Sequence, residues 1–213
     1  MDAIADRRFR DRDRADRLRL PLSRSQCRQR PHKLDAQLPP GDDRANAVTV
    51  ALGPGGTLSA TYAAATAGQT AQVIFDVTGY FTPDASGARY VPLTPSRFLD
   101  SRDGYWIGIA GAFSSHSARK FAVAGHGGVP ANETAVTGNL TVTGQTAAGF
   151  LYIGPVAAND PTSSTLNFPV GDDRANAVTV ALGAEGRLSV TYAAPTLGQS
   201  AQVIFDVTGY FVP

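Results

Sequence analysis

The chain has 213 residues, of which 17% are charged, with 22 glycines and 14 prolines. That mix suits short strands joined by tight turns and disfavours helical bundles. No stretch approaches the roughly 18 uninterrupted apolar residues of a membrane-spanning helix, so no membrane span is expected. The formal net charge of +1 conceals an uneven distribution. Residues 1–40 carry 11 of the 19 Lys+Arg and 6 of the 18 Asp+Glu, whereas residues 41–213 carry 8 and 12. The single cysteine, Cys27, also lies in the first 40 residues. The remaining body therefore has neither a disulfide framework nor a thiolate nucleophile.

Residues 1–40 alternate Arg with Asp and contain one aromatic residue, Phe9. A basic arm that binds nucleic acid would neutralise phosphates, but here the acidic residues cancel much of the field. No nucleic-acid partner is expected. Leu18–Leu22 is too short and too broken for the apolar core of a signal peptide.

The next segment, residues 41–83, recurs at 171–213, where 35 of 43 positions match at an offset of 130. Such a duplication marks a unit of about 130 residues, an ordinary domain size. Residues 41–83 then form the C-terminal half of a first copy, and residues 84–213 form a complete unit. The front half of the first copy should precede Gly41, but residues 1–40 bear no likeness to 131–170. The genetic code offers a reason. Residues 31–39, PHKLDAQLP, can be encoded so that a reading frame shifted by one nucleotide gives PTSSTLNFP, the sequence of 161–169. The same shift turns 19–22 into the GFLY of 149–152 and the Arg-Asp run into a Val-Thr strand. Residues 1–40 are thus read as a frame-shifted, disordered segment, with one nucleotide missing near the Pro39–Pro40 codons. Residues 41–83, with strands that lack their partners, are expected to be disordered, to dock on a neighbour or to self-associate.

Within 84–213, strand signals recur at short spacing. Tyr90–Leu93, Phe98–Ser101 and Lys120–Ala124 come first. Thr134–Thr143 alternates, with Val136, Leu140 and Val142 on one side and Thr137, Asn139 and Thr141 on the other. Phe150–Gly154, Ser164–Phe168 and Ala175–Leu182 follow; then Gly183–Gly186 turns the chain into a strand carrying Leu188, Val190 and Tyr192. Ala201–Phe211 is the most apolar run and should be central. Eight or nine short strands imply an all-β, β-sandwich or jelly-roll-like fold.

Several of these segments together resemble a known family. They are VPLTPSRFLDSRDG (91–104), GHGGVP (125–130), AVTGNLTVT (135–143), GFLYIGP (149–155), PTSSTLNF (161–168), ANAVTVALG (175–183) and QVIFDVTGYF (202–211). In this order they resemble the repeat module of secreted and surface proteins of high-GC bacteria, often found beside hydrolase domains. The resemblance covers 88–213. It implies an exported, extracellular or cell-surface all-β module with no established activity.

The residues offer few candidates for chemistry. Arg97, Asp100, Arg102 and Asp103 form the densest charge cluster. They could be a carboxylate pair for acid–base or metal work, or a structural ion-pair cluster of Arg97, Asp100 and Arg102 that includes Asp206 of the apolar strand. The structural reading is preferred, and no catalytic residue is assigned. His116 and His126 lack metal-ligand spacing, so no metal and no cofactor are expected. Tyr105 and Trp106 are the binding candidates, because an exposed indole can stack on a sugar ring. The sequence thus points to a non-enzymatic spacer, adhesion or docking module whose partner is a cell-surface glycan or another protein domain. A carbohydrate-binding module accessory to a hydrolase is the alternative.

Overall fold

A computed structural model describes residues 36–104 and 109–213. Nine strands span Arg89 to Val212, and all paired strands are antiparallel. They are β1 (Arg89–Asp100), β2 (Phe113–Ser114), β3 (Arg119–Ala122), β4 (Ala135–Thr143), β5 (Gly149–Gly154), β6 (Leu166–Phe168), β7 (Arg174–Ala181), β8 (Arg187–Ala193) and β9 (Ser200–Val212). One sheet runs β1-β9-β4-β7, with β2 added to β9, and the other runs β3-β8-β5-β6. The fold is an all-β sandwich, as the strand pattern implies. None of the helices among the described residues is long and apolar enough to cross a membrane.

Alternation decides which side chains form the core. Val136, Leu140 and Val142 of β4 are buried, while Thr137, Asn139 and Thr141 are half-exposed. On β7, Val178 and Val180 are buried, whereas Leu182 lies half-buried just past the strand end. The first sheet contributes these together with Val203, Phe205 and Val207 of β9; Leu151, Ile153, Leu188, Val190 and Tyr192 come from the second. Phe121 of β3 meets Phe205 edge-on across the sandwich, with ring centroids 6.0 Å apart. Such a pair adds orientation to the larger gain from removing apolar area from water.

Two features depart from simple alternation. β1 is one strand of 12 residues rather than two short ones, with register shifts after Pro92 and after Arg97. Pro92 and Pro95 have no N–H to give to a ladder, which an edge strand tolerates. The shifts allow Phe98, Leu99 and Asp100 to be buried in succession. β8 is buried on both faces from Leu188 to Ala193. Its outward hydroxyls are satisfied locally: Thr191 Oγ1 donates to Ala158 O at 2.7 Å.

The 125–130 loop packs onto β1. A Cβ at Gly127 would fall 2.6 Å from the Phe98 ring, and one at Gly128 2.8 Å from Leu93 Cδ1. Both glycines have positive φ, so glycine is required there on conformational and steric grounds. This loop is a plug over the strand.

The first copy of the duplicated sequence behaves differently. No residue between 36 and 88 is assigned to a strand. Val73, Ile74 and Phe75 are 65%, 86% and 57% exposed, whereas their counterparts Val203, Ile204 and Phe205 are 0%, 7% and 0% exposed. The turn between the strands nevertheless forms in both copies. Gly53 N donates to Thr57 O and Gly183 N to Arg187 O, each at 2.8 Å. The expectation for residues 1–40 lies, up to residue 35, outside the described residues.

Candidate functional site

The charge cluster is built where β1 meets β9. Arg97 lies opposite Asp206 in the β1–β9 register, and Asp206 lies opposite Asn139 of β4. Asp206 can occupy an apolar strand because it alternates outward between the buried Phe205 and Val207. Arg97 donates from Nε to Asp206 Oδ1 at 2.9 Å and from Nη2 to Oδ2 at 3.3 Å. Its Nη1 donates to Asp100 Oδ2 at 3.0 Å. Arg102 holds the same carboxylate from Nε to Oδ1 at 2.8 Å and from Nη2 to Oδ2 at 2.6 Å, and its backbone N–H donates to Oδ1 at 3.2 Å. Arg97, Asp100, Arg102 and Asp206 are therefore brought together as two cations on two anions.

A shallow hollow of about 420 Å³ lies over this cluster, lined by Pro95, Arg97, Asp100, Asp103 and Asp206. The electrostatics disfavour Asp100 as an acid or a base there. The hydrogen bonds from Arg102, and then the nearby positive charge of both arginines, hold the Asp100 carboxyl below its ordinary range despite its burial. A carboxylate so stabilised is a poor proton acceptor and stays ionised at neutral pH, so it is no general acid either. What the cluster does is fasten the edge strand β1 to the central strand β9.

The second polar cluster was not legible as a pair. His116 sits at φ 59° on the turn after β2. Its Nδ1 is 2.7 Å from Asp160 Oδ1, and its Nε2 is 2.6 Å from Ala194 O. With an acceptor at each ring nitrogen, the doubly protonated ring is favoured; the Ala194 carbonyl and then Asp160 raise its pKa above 6.5. This ties together three loops whose residues are 44 and 78 positions from His116 in sequence, so spacing gave no signal.

Arg119 stands in no sequence motif. It donates to the carbonyls of Ala110, Gly111 and Ala112 at 2.9, 2.7 and 3.4 Å. Its guanidinium lies 4.6 Å from the centroid of the Phe113 ring. It thereby holds the stretch that follows 105–108. Tyr105 and Trp106, the candidate ligand-binding pair, lie outside the described residues.

Among the described residues, no group of three or more His, Cys, Asp or Glu side chains is arranged to hold a metal ion. Asp172 is engaged by Arg174, Nε to Oδ2 at 2.7 Å, and Asp42 by Arg44 with the same atoms at the same distance. Arg174 also reaches the first copy, with Nη2 at 2.9 and 2.8 Å from the two carboxylate oxygens of Asp42. Scans of the chain against protein-family models and against curated proteins give no match.

Proposed function

We propose that this chain is a non-enzymatic extracellular β module that serves as a surface spacer or docking domain. One observation carries the reading. The cluster of Arg97, Asp100, Arg102 and Asp206, under the hollow beside β1, is committed to ion pairs, of which Arg97–Asp206 joins β1 to β9, and its buried carboxylate, Asp100, is paired with two arginines. Such a cluster contributes rigidity to a sheet, not a reactive group. The resemblance of residues 88–213 to the exported repeat module of high-GC bacteria supports the same reading.

A carbohydrate-binding module remains the second reading, because Tyr105 and Trp106 follow the Asp103-Gly104 turn. Both readings are tested with the intact chain, Asp100→Asn and Trp106→Ala, on a panel of ester and glycoside substrates and on a glycan array. The spacer reading expects no turnover and no glycan retention by any of the three. Retention that Trp106→Ala abolishes would establish carbohydrate binding. Turnover that Asp100→Asn abolishes while the fold persists would establish a hydrolase.

A further inference from the structure

The chain holds two back halves and one front half. We propose that the two back halves compete for that front half: residues 41–83 can replace 171–213 in the sandwich, giving a circularly permuted form of the same domain. This does not depend on what the module does at a surface.

Four observations carry it. The first is identity at the centre of the sheet. β9 lies between β1 and β4, and residues 71–81 repeat residues 201–211 without a change. Every contact that β9 makes through 201–211 is therefore available to the first copy in the same register.

The second is connectivity. Arg89, the first residue of β1, pairs with Val212, the last of β9. Thr82 is the first-copy counterpart of Val212, and six residues, 83–88, join it to Arg89. Antiparallel partners lie about 5 Å apart, so so short a link closes as a hairpin loop. In the permuted form β9 would enter from its neighbour β1, with no threading and no change of strand order.

The third is position. The start of the first copy already lies against its counterpart. Arg174 holds Asp42, and Ala47 N donates to Asn176 Oδ1 at 3.0 Å.

The fourth is the pattern of differences. Of the eight positions that distinguish the copies, only Val190, which corresponds to Ala60, is buried, and it is fully so. β8 carries Val190 between Arg119 of β3 and Ile153 of β5. Ala60 in that place would leave a void, so the second copy is preferred. The turn weighs the other way. Glu185 is forced to φ 57°, whereas the first copy has Gly55 at φ 71°, where glycine carries no penalty. The two forms are thus close in free energy, with the observed one ahead. In a tandem array, the same ambiguity lets an unpaired half-unit move along the chain by successive exchange.

The test is a competition for one cysteine. Thr143 pairs with Gln202, whose first-copy counterpart is Gln72. In a Cys27→Ser background, Thr143→Cys is combined with both Gln72→Cys and Gln202→Cys. The chain is refolded at high dilution and oxidised, and the 143–72 and 143–202 disulfides are quantified by peptide mapping. The expected majority is 143–202. Adding Ala60→Val, which leaves the observed back half intact, should raise the ratio of 143–72 to 143–202 about tenfold, and adding Val190→Ala should raise that ratio by about as much again. A random encounter of a loose tail with β4 would not respond to a buried methyl pair more than ten residues away in sequence. A disulfide ratio unmoved by Ala60→Val would overturn the proposal, as would a 143–72 disulfide found only in covalent dimers.

Discussion

Residues 71–81 and 201–211 are the same eleven amino acids in the same order. One segment is a central strand with its apolar side chains out of water; the other is assigned to no strand and has the same side chains exposed. Propensity and alternation are identical, so neither explains the difference. The difference is the presence of β1 and β4 on either side of 201–211. What does survive in the first copy is local. The 53–57 turn closes as the 183–187 turn does, and the Asp42–Arg44 bond repeats the Asp172–Arg174 bond. Contacts within five residues are encoded by the segment itself. A β-ladder is not, because its partners come from elsewhere and loop closure must be met first.

The largest effect expected from this contrast comes from the phenylalanine that the two copies share. Phe75→Ala alone should change stability by less than about 0.5 kcal/mol, as at an exposed site. Phe205→Ala together with Phe75→Ala should cost about 3–5 kcal/mol, the usual range for emptying a core position. Phe205→Ala alone should fall short of the double variant, because the first copy can then take the vacated place. Urea midpoints with matched slopes measure all three. If Phe205→Ala alone equals the double variant, the copies act independently.

A residue of the front half supplies the control. Asp100 has no second copy to substitute for it, so Asp100→Asn should cost about 2 kcal/mol, the order expected for losing charge-assisted bonds that are half-exposed on the arginine side. The folded carboxyl sits below its unfolded value, which is 3.8. Its contribution is therefore full above that pH and is lost as pH falls through the lower folded value. Wild type and variant should converge in strong acid, as thermal melts across a pH series would record.

Glu185→Gly is expected to stabilise the domain by about 1 kcal/mol, because it removes a left-handed strain that the first copy avoids with Gly55. Its ion pair with Arg187 is exposed on both sides and offsets little of this. No gain in chemical denaturation would mean that the turn tolerates Glu185 without strain.

The smallest effect concerns pH near neutrality. His116 has its pKa raised in the fold, so its stabilising contribution is complete below the ordinary 6.5 and fades as pH rises through the folded value. His116→Gln should flatten the fall in melting temperature between slightly acid and slightly alkaline buffer. An unchanged slope would assign that dependence to other groups.

Much of the sandwich was legible in the sequence because burial on a strand follows a period of two. Val136, Leu140 and Val142 could be placed inward from spacing alone. The two-residue strand β2 is too short to carry a period, and the double burial of β8 depends on loops that cover its outer face. The strand signals at Tyr90–Leu93 and Phe98–Ser101 read as two strands where register shifts keep one. At the candidate site, Arg97, Asp100, Arg102 and Asp206 could be grouped by the need of a charge in an apolar strand for a counter-charge. Which oxygen meets which nitrogen required the register of β1 on β9. His116 was beyond sequence reasoning, since one of its two partners is a backbone carbonyl that any residue would provide.

The most direct test of the central claim is amide hydrogen exchange read by mass spectrometry on the intact chain. Segments 71–81 and 201–211 have the same sequence and hence the same intrinsic exchange rates, so any difference between them reports structure. Peptides that extend to Thr82 or Val212 differ in mass and keep the two copies apart. Segment 201–211 should be clearly more protected than 71–81, by a factor capped by the ratio of the observed to the permuted form. Equal protection of the two segments would contradict the account, because it would mean that the first copy is held in a β-ladder as often as the second.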